Sequence, residues 1–416
     1  SNITGSRDKY YDRINYDTPG LNYGIGVNVE LNKNLSIEAT INPDFSQVES
    51  DATKIDINSP TAINYPERRP FFNRGVDAMD YQIDVFYSRS INNPSFASKI
   101  INQGKKSRLY VLSAFDNETP YLVPTKYESF SGVGGKSFSN VIRYQNFINN
   151  QTKIGLLASN RLYEGDAYGN LYGFDALINF SDVWKFRFEL FLNNNKEPVA
   201  DWIDSDKKYG DNSVQLDGEI INGNAIFASI SRNTETWRSF IEYKQLSDEF
   251  RSDLGFISTN NQKKYTLWHG YYKFPNKDLI KRYRISLRQD FDYDYSNNIS
   301  RSNFQGYLGF LTVLNTDVLY NYEYNFIKSY LEFQFKDFIN HWIRVESQPT
   351  DFLNFNFWYK WGKDIAYRIE TPMLGMVNDI RLSSEISISD NFRIIPSINY
   401  SSIKKLNSDE YYFKGY

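Results

Sequence analysis

Gly132–Ser137 reads GVGGKS, a glycine run ending in Lys-Ser of the kind whose backbone amides cradle phosphate. That loop also needs a glycine five positions before the one preceding the lysine. The position is Phe130, and no strand-to-helix context follows, so the run reads as a flexible connection. Asp290, Asp292 and Asp294 match the first half of a calcium loop, but its sixth and twelfth positions, Gly and Glu, are Tyr295 and Arg301. Their period of two places the carboxylates on one strand face, as a solvated polar wall. Asp201, Asp204, Asp206 and Asp211 crowd one connection, where a solvated loop accounts for them and calcium or a glycan contact is the alternative. There are two histidines and no cysteine, which excludes disulfides, Cys-ligated zinc and thiol catalysis. A hydrolase would need a His base beside a nucleophile. His269 shares parity with Tyr265, Leu267 and Tyr271 on an outward face, and His341 adjoins Trp342 at a predicted strand start. Both read as interfacial side chains, and no catalytic residue, metal or cofactor is assigned.

One further set of charges lies in a stretch that does not alternate, Asn42–Arg89: Asp44, Glu49, Asp51, Glu67, Arg68, Arg69, Arg74 and Arg89. A stretch of this length without regular structure is either functional or disordered. Its Phe, Tyr, Ile and Pro content argues against disorder. Buried charges need partners. The expectation is that this network pairs with charges on the wall of a barrel, the segment 43–94 folding into the lumen as a plug.

The elements that would position these groups are strands. Tyr23, Ile25, Val27, Val29 and Leu31 alternate with Asn22, Gly24, Gly26, Asn28 and Glu30. Trp184, Phe186, Phe188, Leu190 and Leu192 alternate with Lys185, Arg187 and Glu189, and similar runs recur around Tyr283–Tyr295 and Ile380–Ile388. Successive side chains of a strand point to opposite faces, so one face is apolar and the other polar. Each run approximates the ~9–11 residues that a tilted strand needs to cross a bilayer. Short turns rich in Asn, Asp, Gly and Pro fall near 32–34, 104–106, 149–151, 181–183, 233–235, 275–279, 315–317, 349–351 and 389–391. Longer connections lie between them, at about 43–94, 115–137, 162–169, 194–222, 247–260, 296–301, 327–340 and 362–377. Short turns on one side and long loops on the other predict an all-β fold: a transmembrane antiparallel barrel of about 18–20 strands, with short periplasmic turns and long extracellular loops. Residues 1–416 form one domain. Closure calls for a further strand begun in Ser1–Arg7 and a closing strand begun at Tyr411–Tyr416, the chain continuing beyond its given end.

Composition agrees. The 33 Tyr, 31 Phe and 7 Trp suit aromatic girdles at a lipid–water boundary. With 47 basic and 50 acidic residues the chain has no global field to attract nucleic acid. No run of about 18 apolar residues is present, which excludes a transmembrane helix. No signal peptide is visible at Ser1, so a processed or trimmed N-terminus is expected.

Several stretches carry a resemblance. NPDFSQVESD (Asn42–Asp51), YPERRPFF (Tyr65–Phe72), FYSRSI (Phe86–Ile91) and SAFDNETPYLVP (Ser113–Pro124), with SDEFRSDLGFI (Ser247–Ile257) more weakly, fall in one order. In that order they resemble the barrel domain of a family of uncharacterised outer-membrane proteins typical of Bacteroidota. There the barrel often follows a carbohydrate-binding family-9-like module. The resemblance covers almost the whole chain and implies the barrel fold and an outer-membrane location, but no catalytic residues, since the family has no settled activity. The chain departs from the family in lacking the N-terminal module and in placing the last strand beyond Tyr416.

The resulting expectation is a non-enzymatic protein of a Gram-negative outer membrane, acting as a plugged channel or receptor or as a subunit of a larger assembly. Its partners would be outer-membrane lipid, other outer-membrane or periplasmic proteins, and a glycan. The alternatives are an outer-membrane hydrolase and a soluble all-β glycan-binding protein.

Overall fold

Alternating sequence becomes strand wherever both faces of the pleat can be satisfied at once. The computed structural model describes residues 5–7, 14–16, 24–43, 58–149, 151–209, 212–275, 279–389 and 392–415. They form an all-β protein dominated by one large antiparallel sheet. It starts at Ile25–Glu30 and Leu35–Ile41, continues through Pro94–Gln103 and Ser107–Asp116, and ends at Ser397–Lys405 and Tyr411–Gly415. Each main strand pairs antiparallel with the next. The pattern holds to the end of the ladder. The strand order is cyclic, with Tyr411–Gly415 beside Ile25–Glu30. Phe392–Ile394 and Ser397–Lys405 pair with the same neighbour and are parts of one strand, interrupted at Pro396, which lacks the amide a ladder needs.

The sequence-based expectations need correction at specific points. Gly5–Arg7 adds no strand to the large sheet; it pairs with Ile14–Tyr16 in a separate two-stranded sheet, the local closure costing less chain entropy. A strand does form at Tyr411–Gly415. The long connection expected at 327–340 is strand: Thr316–Tyr330 and Phe333–Thr350 meet at a tight turn through Leu331 and Glu332. Asn325 pairs with Phe338 and Ile327 with Lys336, so Phe326 and Asp337 drop out of the ladder and the parity breaks. Asp337 has φ 52° there. The connection expected at 362–377 shrinks to 367–372, between Leu353–Ala366 and Met373–Ser389. Gly362, at φ 111°, supplies the irregularity that hides the strand from a period-two reading. The GVGGKS run is not a loose loop. Ser129–Gly134 pairs with Thr119–Pro124, and the glycines make room for Trp202, whose carbonyl oxygen a Cβ at Gly132 would meet at 2.1 Å.

The two faces of the sheet differ sharply. On Ser137–Phe147 the residues Ser137, Ser139, Val141, Arg143 and Gln145 are buried, while Phe138, Ile142 and Tyr144 are exposed. Against the buried face lie two non-sheet segments, 58–92 and 247–260. Phe72, Ile83, Val85 and Ile91 of the first and Phe250, Leu254 and Ile257 of the second share one apolar cluster with wall residues such as Leu112, Val141, Leu171 and Phe191. Each such side chain contributes about 1.5–3 kcal/mol on burial. The two segments also bond to each other through their backbones, Tyr87 N–H to Leu254 O at 2.7 Å and Phe256 N–H to Asp84 O at 2.7 Å.

Close approach of this kind requires missing side chains. A Cβ at Gly223 would lie 2.5 Å from the backbone of Glu249 and Phe250, whereas one at Gly306 meets nothing within 4 Å. Gly223→Val should therefore displace 247–260 and cost about 1–3 kcal/mol. Gly306→Val should be far milder. Limited proteolysis within 247–260 and unfolding midpoints check this; equal effects of the two substitutions would refute the packing assignment.

Candidate functional site

The irregular segments lack the repetitive pairing that satisfies a strand, so their buried backbone groups need partners elsewhere. Charged side chains on the buried face supply them. The Glu189 carboxylate accepts the Gln82 N–H at 3.0 Å and the Ile83 N–H at 3.3 Å. Asp116 accepts the N–H groups of Asn92 and Asn93 at 2.7 and 2.6 Å. Arg143 donates to Ala78 O at 3.1 Å while its guanidinium is held by both oxygens of Asp175. Lys99 donates to the carbonyls of Phe71 and Arg74 and pairs with Glu38 at 3.0 Å. Arg161, fully buried, donates to Ser90 O at 2.7 Å and to Asp253 O at 2.9 Å, so a single side chain grips both segments.

The charges expected to form the network are distributed differently. Asp44, Glu49 and Asp51 lie outside the described residues. Glu67 pairs with Arg69 at 2.7 Å inside the segment and accepts the Ser88 hydroxyl at 2.6 Å. Arg69 also donates to Ile91 O at 2.7 Å and covers the Phe72 ring. Arg74 reaches strand carboxylates, Glu38 at 2.8 Å and Glu30 at 3.2 Å. Arg89 donates to Pro66 O at 3.3 Å, and Arg68 is exposed, its backbone N–H bonded to Glu67 at 2.9 Å. Glu67 and Arg69 thus brace the segment's own fold: two residues apart, they pair locally and together hold Ser88 and Ile91 of the same segment.

Sequence reasoning did not mark the wall residues Lys99, Asp116, Arg143, Arg161, Asp175 and Glu189, nor Arg251 and Asp253. Arg251 joins the second segment to the long connections: it pairs with Glu197 and donates to Tyr121 Oη at 3.0 Å and Tyr209 Oη at 2.7 Å. Asp253 accepts from Tyr163 Oη and Asn195 Nδ2, both at 2.7 Å. Around them Tyr121, Val123, Ile203, Val214 and Leu216 form a second apolar cluster with Trp202. Burial pushes the Glu197 carboxyl up to about 7 despite Arg251, with Glu219 and Asp217 adding repulsion. The available signals were the family-like stretches SAFDNETPYLVP, which holds Asp116, and SDEFRSDLGFI, which holds Arg251 and Asp253.

The remaining candidates are placed as follows. Asp290 is buried against Arg288 at 2.9 Å and Thr266 Oγ1 at 2.6 Å, and Asp294 pairs with Lys126 at 3.0 Å, so these aspartates face cations and hydroxyls. Asp201, Asp204 and Asp206 are exposed, and Asp211 lies outside the described residues. His269 bonds Ser239 Oγ at 2.6 Å and stacks on Trp237; His341 bonds Tyr320 Oη at 2.8 Å and stacks on Trp361. The tryptophans do not all sit on the apolar face. Trp342 lies opposite the buried Asn321, and Trp268 stacks on Phe240 beside the buried Thr266, both on the polar face. Residue type alone does not choose the face; register does.

Two outcomes test the network. Arg143→Met leaves Asp175 buried without its cation and should cost about 3–5 kcal/mol in denaturant unfolding, and Arg143→Met with Asp175→Leu should recover much of it. If the double variant is no better than the single, the pair is not what Arg143 serves. At Glu67, burial raises the carboxyl, but the hydrogen bond and charge of Arg69 outweigh it and hold the group below its ordinary 4.5. Its stabilisation is present above that value and is lost as pH falls through the lower folded pKa. Unfolding midpoints should therefore drop more steeply in acid for the wild type than for Glu67→Gln, and parallel curves would argue against the clasp.

Residues 8–111, a quarter of the chain, match the model of a family described as a domain of unknown function, DUF5916. The match takes in the whole 58–92 segment and the wall residues Glu38 and Lys99. No curated protein matches the chain. The likeness is to an uncharacterised family, in keeping with the resemblance noted from the sequence.

Proposed function

We propose that this chain is a transmembrane β-barrel of a Gram-negative outer membrane, and that segments 58–92 and 247–260 plug its lumen. In this reading it works without covalent chemistry, as a gated channel or receptor or as a subunit of a larger outer-membrane assembly. The observation that carries the proposal is the inverted polarity of the sheet. Arg143 is 1% exposed and its neighbour Ile142 is 50% exposed. Lys99, at 1%, stands beside Ile100 at 37%. In water such a protein would bury its charges and expose its aliphatic residues, at a cost of roughly 25 cal/mol per Å² of apolar surface left wet. In lipid the same arrangement is favourable, and a cyclic strand order would spare the described strands an edge of unpaired amides.

The aromatic placement supports this. On the exposed face Trp237, His269 and Tyr271 cluster near a short turn, and Tyr320, His341, Tyr359 and Trp361 cluster further along the strands. Leu267, Ile285 and Leu287 are exposed aliphatics of the same face. From Phe352 at its turn to Trp361 is nine residues. At about 3.3 Å per residue and a tilt near 40°, that step spans about 23 Å along the membrane normal, close to the ~25 Å apolar band of such barrels.

The test is twofold. Extracted from membranes in detergent, the native protein should migrate faster on a denaturing gel unheated than boiled, and carbonate washing should leave it in the membrane; a chain that stays soluble without detergent rejects the barrel. In reconstituted liposomes the wild type should pass small sugars slowly, and Glu189→Ala with Arg161→Ala, which cuts the wall's grip on both segments, should raise the rate. Folded barrels with unchanged permeability in that variant would reject the plug.

A further inference from the structure

We propose that Glu197, Asp217 and Glu219 form a binding site for a hard divalent cation, and that Ca²⁺ is the ion it suits. The fold brings these acids together by register. Glu197 follows Trp184–Lys196, and Glu219 precedes Ile220–Asn233, the neighbouring strand. The Glu197 N–H bonds Glu219 O at 3.0 Å, and Val199 pairs with Asp217. Gly218, at φ 92°, makes the bend between the two acids that flank it. One carboxylate oxygen from each of the three residues lies within 4.8 Å of the others. Three protein carboxylates suit Ca²⁺, which takes several carboxylate oxygens in a flexible shell, better than Mg²⁺, which keeps most of its waters and takes one or two carboxylates.

A separate observation points to a missing cation. The Glu197 side chain is 0% exposed, and while Oε1 is taken by Arg251, Oε2 has no hydrogen-bond partner. A buried carboxylate oxygen without a donor is a costly defect. Arg251 is a single positive charge set against three carboxylates, and its other nitrogen is turned to Tyr209. Ser213 holds the two outer acids in place, its N–H to both oxygens of Glu219 at 3.1 and 3.2 Å and its hydroxyl to Asp217 at 3.1 Å. These are second-layer contacts that orient ligands. The raised pKa of Glu197 agrees with an uncompensated cluster. The site lies at the base of the connection whose aspartates drew notice in the sequence, but it uses none of them.

Terbium luminescence tests the site, since Tyr209 and Tyr121 share Arg251 with Glu197 and can sensitise a bound lanthanide. Titration of the detergent-solubilised protein with Tb³⁺ under tyrosine excitation should give saturable emission, displaced by Ca²⁺ far better than by Mg²⁺. Asp217→Asn with Glu219→Gln, which spares the buried Glu197–Arg251 pair, should weaken binding at least about tenfold through the loss of ligand charge. Asp201→Asn with Asp204→Asn, exposed on the same connection, should bind as the wild type does. Emission that survives Asp217→Asn with Glu219→Gln, or that millimolar Ca²⁺ does not displace, overturns the proposal.

Discussion

A charged group that leaves water must find its partner inside, and the organisation of this protein follows from that constraint. The sheet carries Lys99, Arg143, Arg161, Asp116, Asp175 and Glu189 on its buried face, each 7% exposed or less. The backbone groups of a second sheet would already be spent on its own ladder. The segments 58–92 and 247–260 present carbonyls and amides that regular structure would have consumed, and the wall charges take them one by one. Pairs such as Arg143–Asp175 and Lys99–Glu38 lie within the wall, while Asp116, Arg161 and Glu189 take their partners from the segments.

This reciprocity explains the composition of the segments. They need apolar side chains enough to fill the space between the charged contacts, which Phe72, Ile83, Val85, Ile91, Phe250 and Leu254 provide. They need internal bracing where the wall is out of reach, which Glu67 and Arg69 provide. They also need each other: Arg161 donates to carbonyls in both, and the backbone bonds between 84–87 and 254–256 join them. A motion that released one segment would expose the orphaned groups of the other. As a gate, the pair would move together or open only where the wall offers substitute partners.

The long connections are tied into the same scheme by Arg251. Its guanidinium ends the chain of polar contacts that begins at the wall, and the acids around Glu197 exceed what one arginine neutralises. The proposed cation would complete the sequence of compensations at the end of the molecule remote from the short turns. The exposed apolar face, the polar interior and the acidic loop site would then each meet the medium that suits it: lipid, folded segment and ion.

Much of this was legible in the chain. Period-two alternation identifies strands such as 184–192 and 283–295, and turn chemistry places the short connections, because both are local properties of the backbone. The non-alternating stretch 42–89 stood out for the same reason. Where Phe326 and Asp337 leave the ladder together, the local signal fails and strand reads as loop. Which face of a strand is buried, which tryptophans share it, and that Glu189 meets Gln82 while Arg161 meets Ser90 and Asp253 were decided by tertiary structure. Those pairings join residues up to about a hundred positions apart, and only the register of the whole sheet determines which of the many available charges comes within reach.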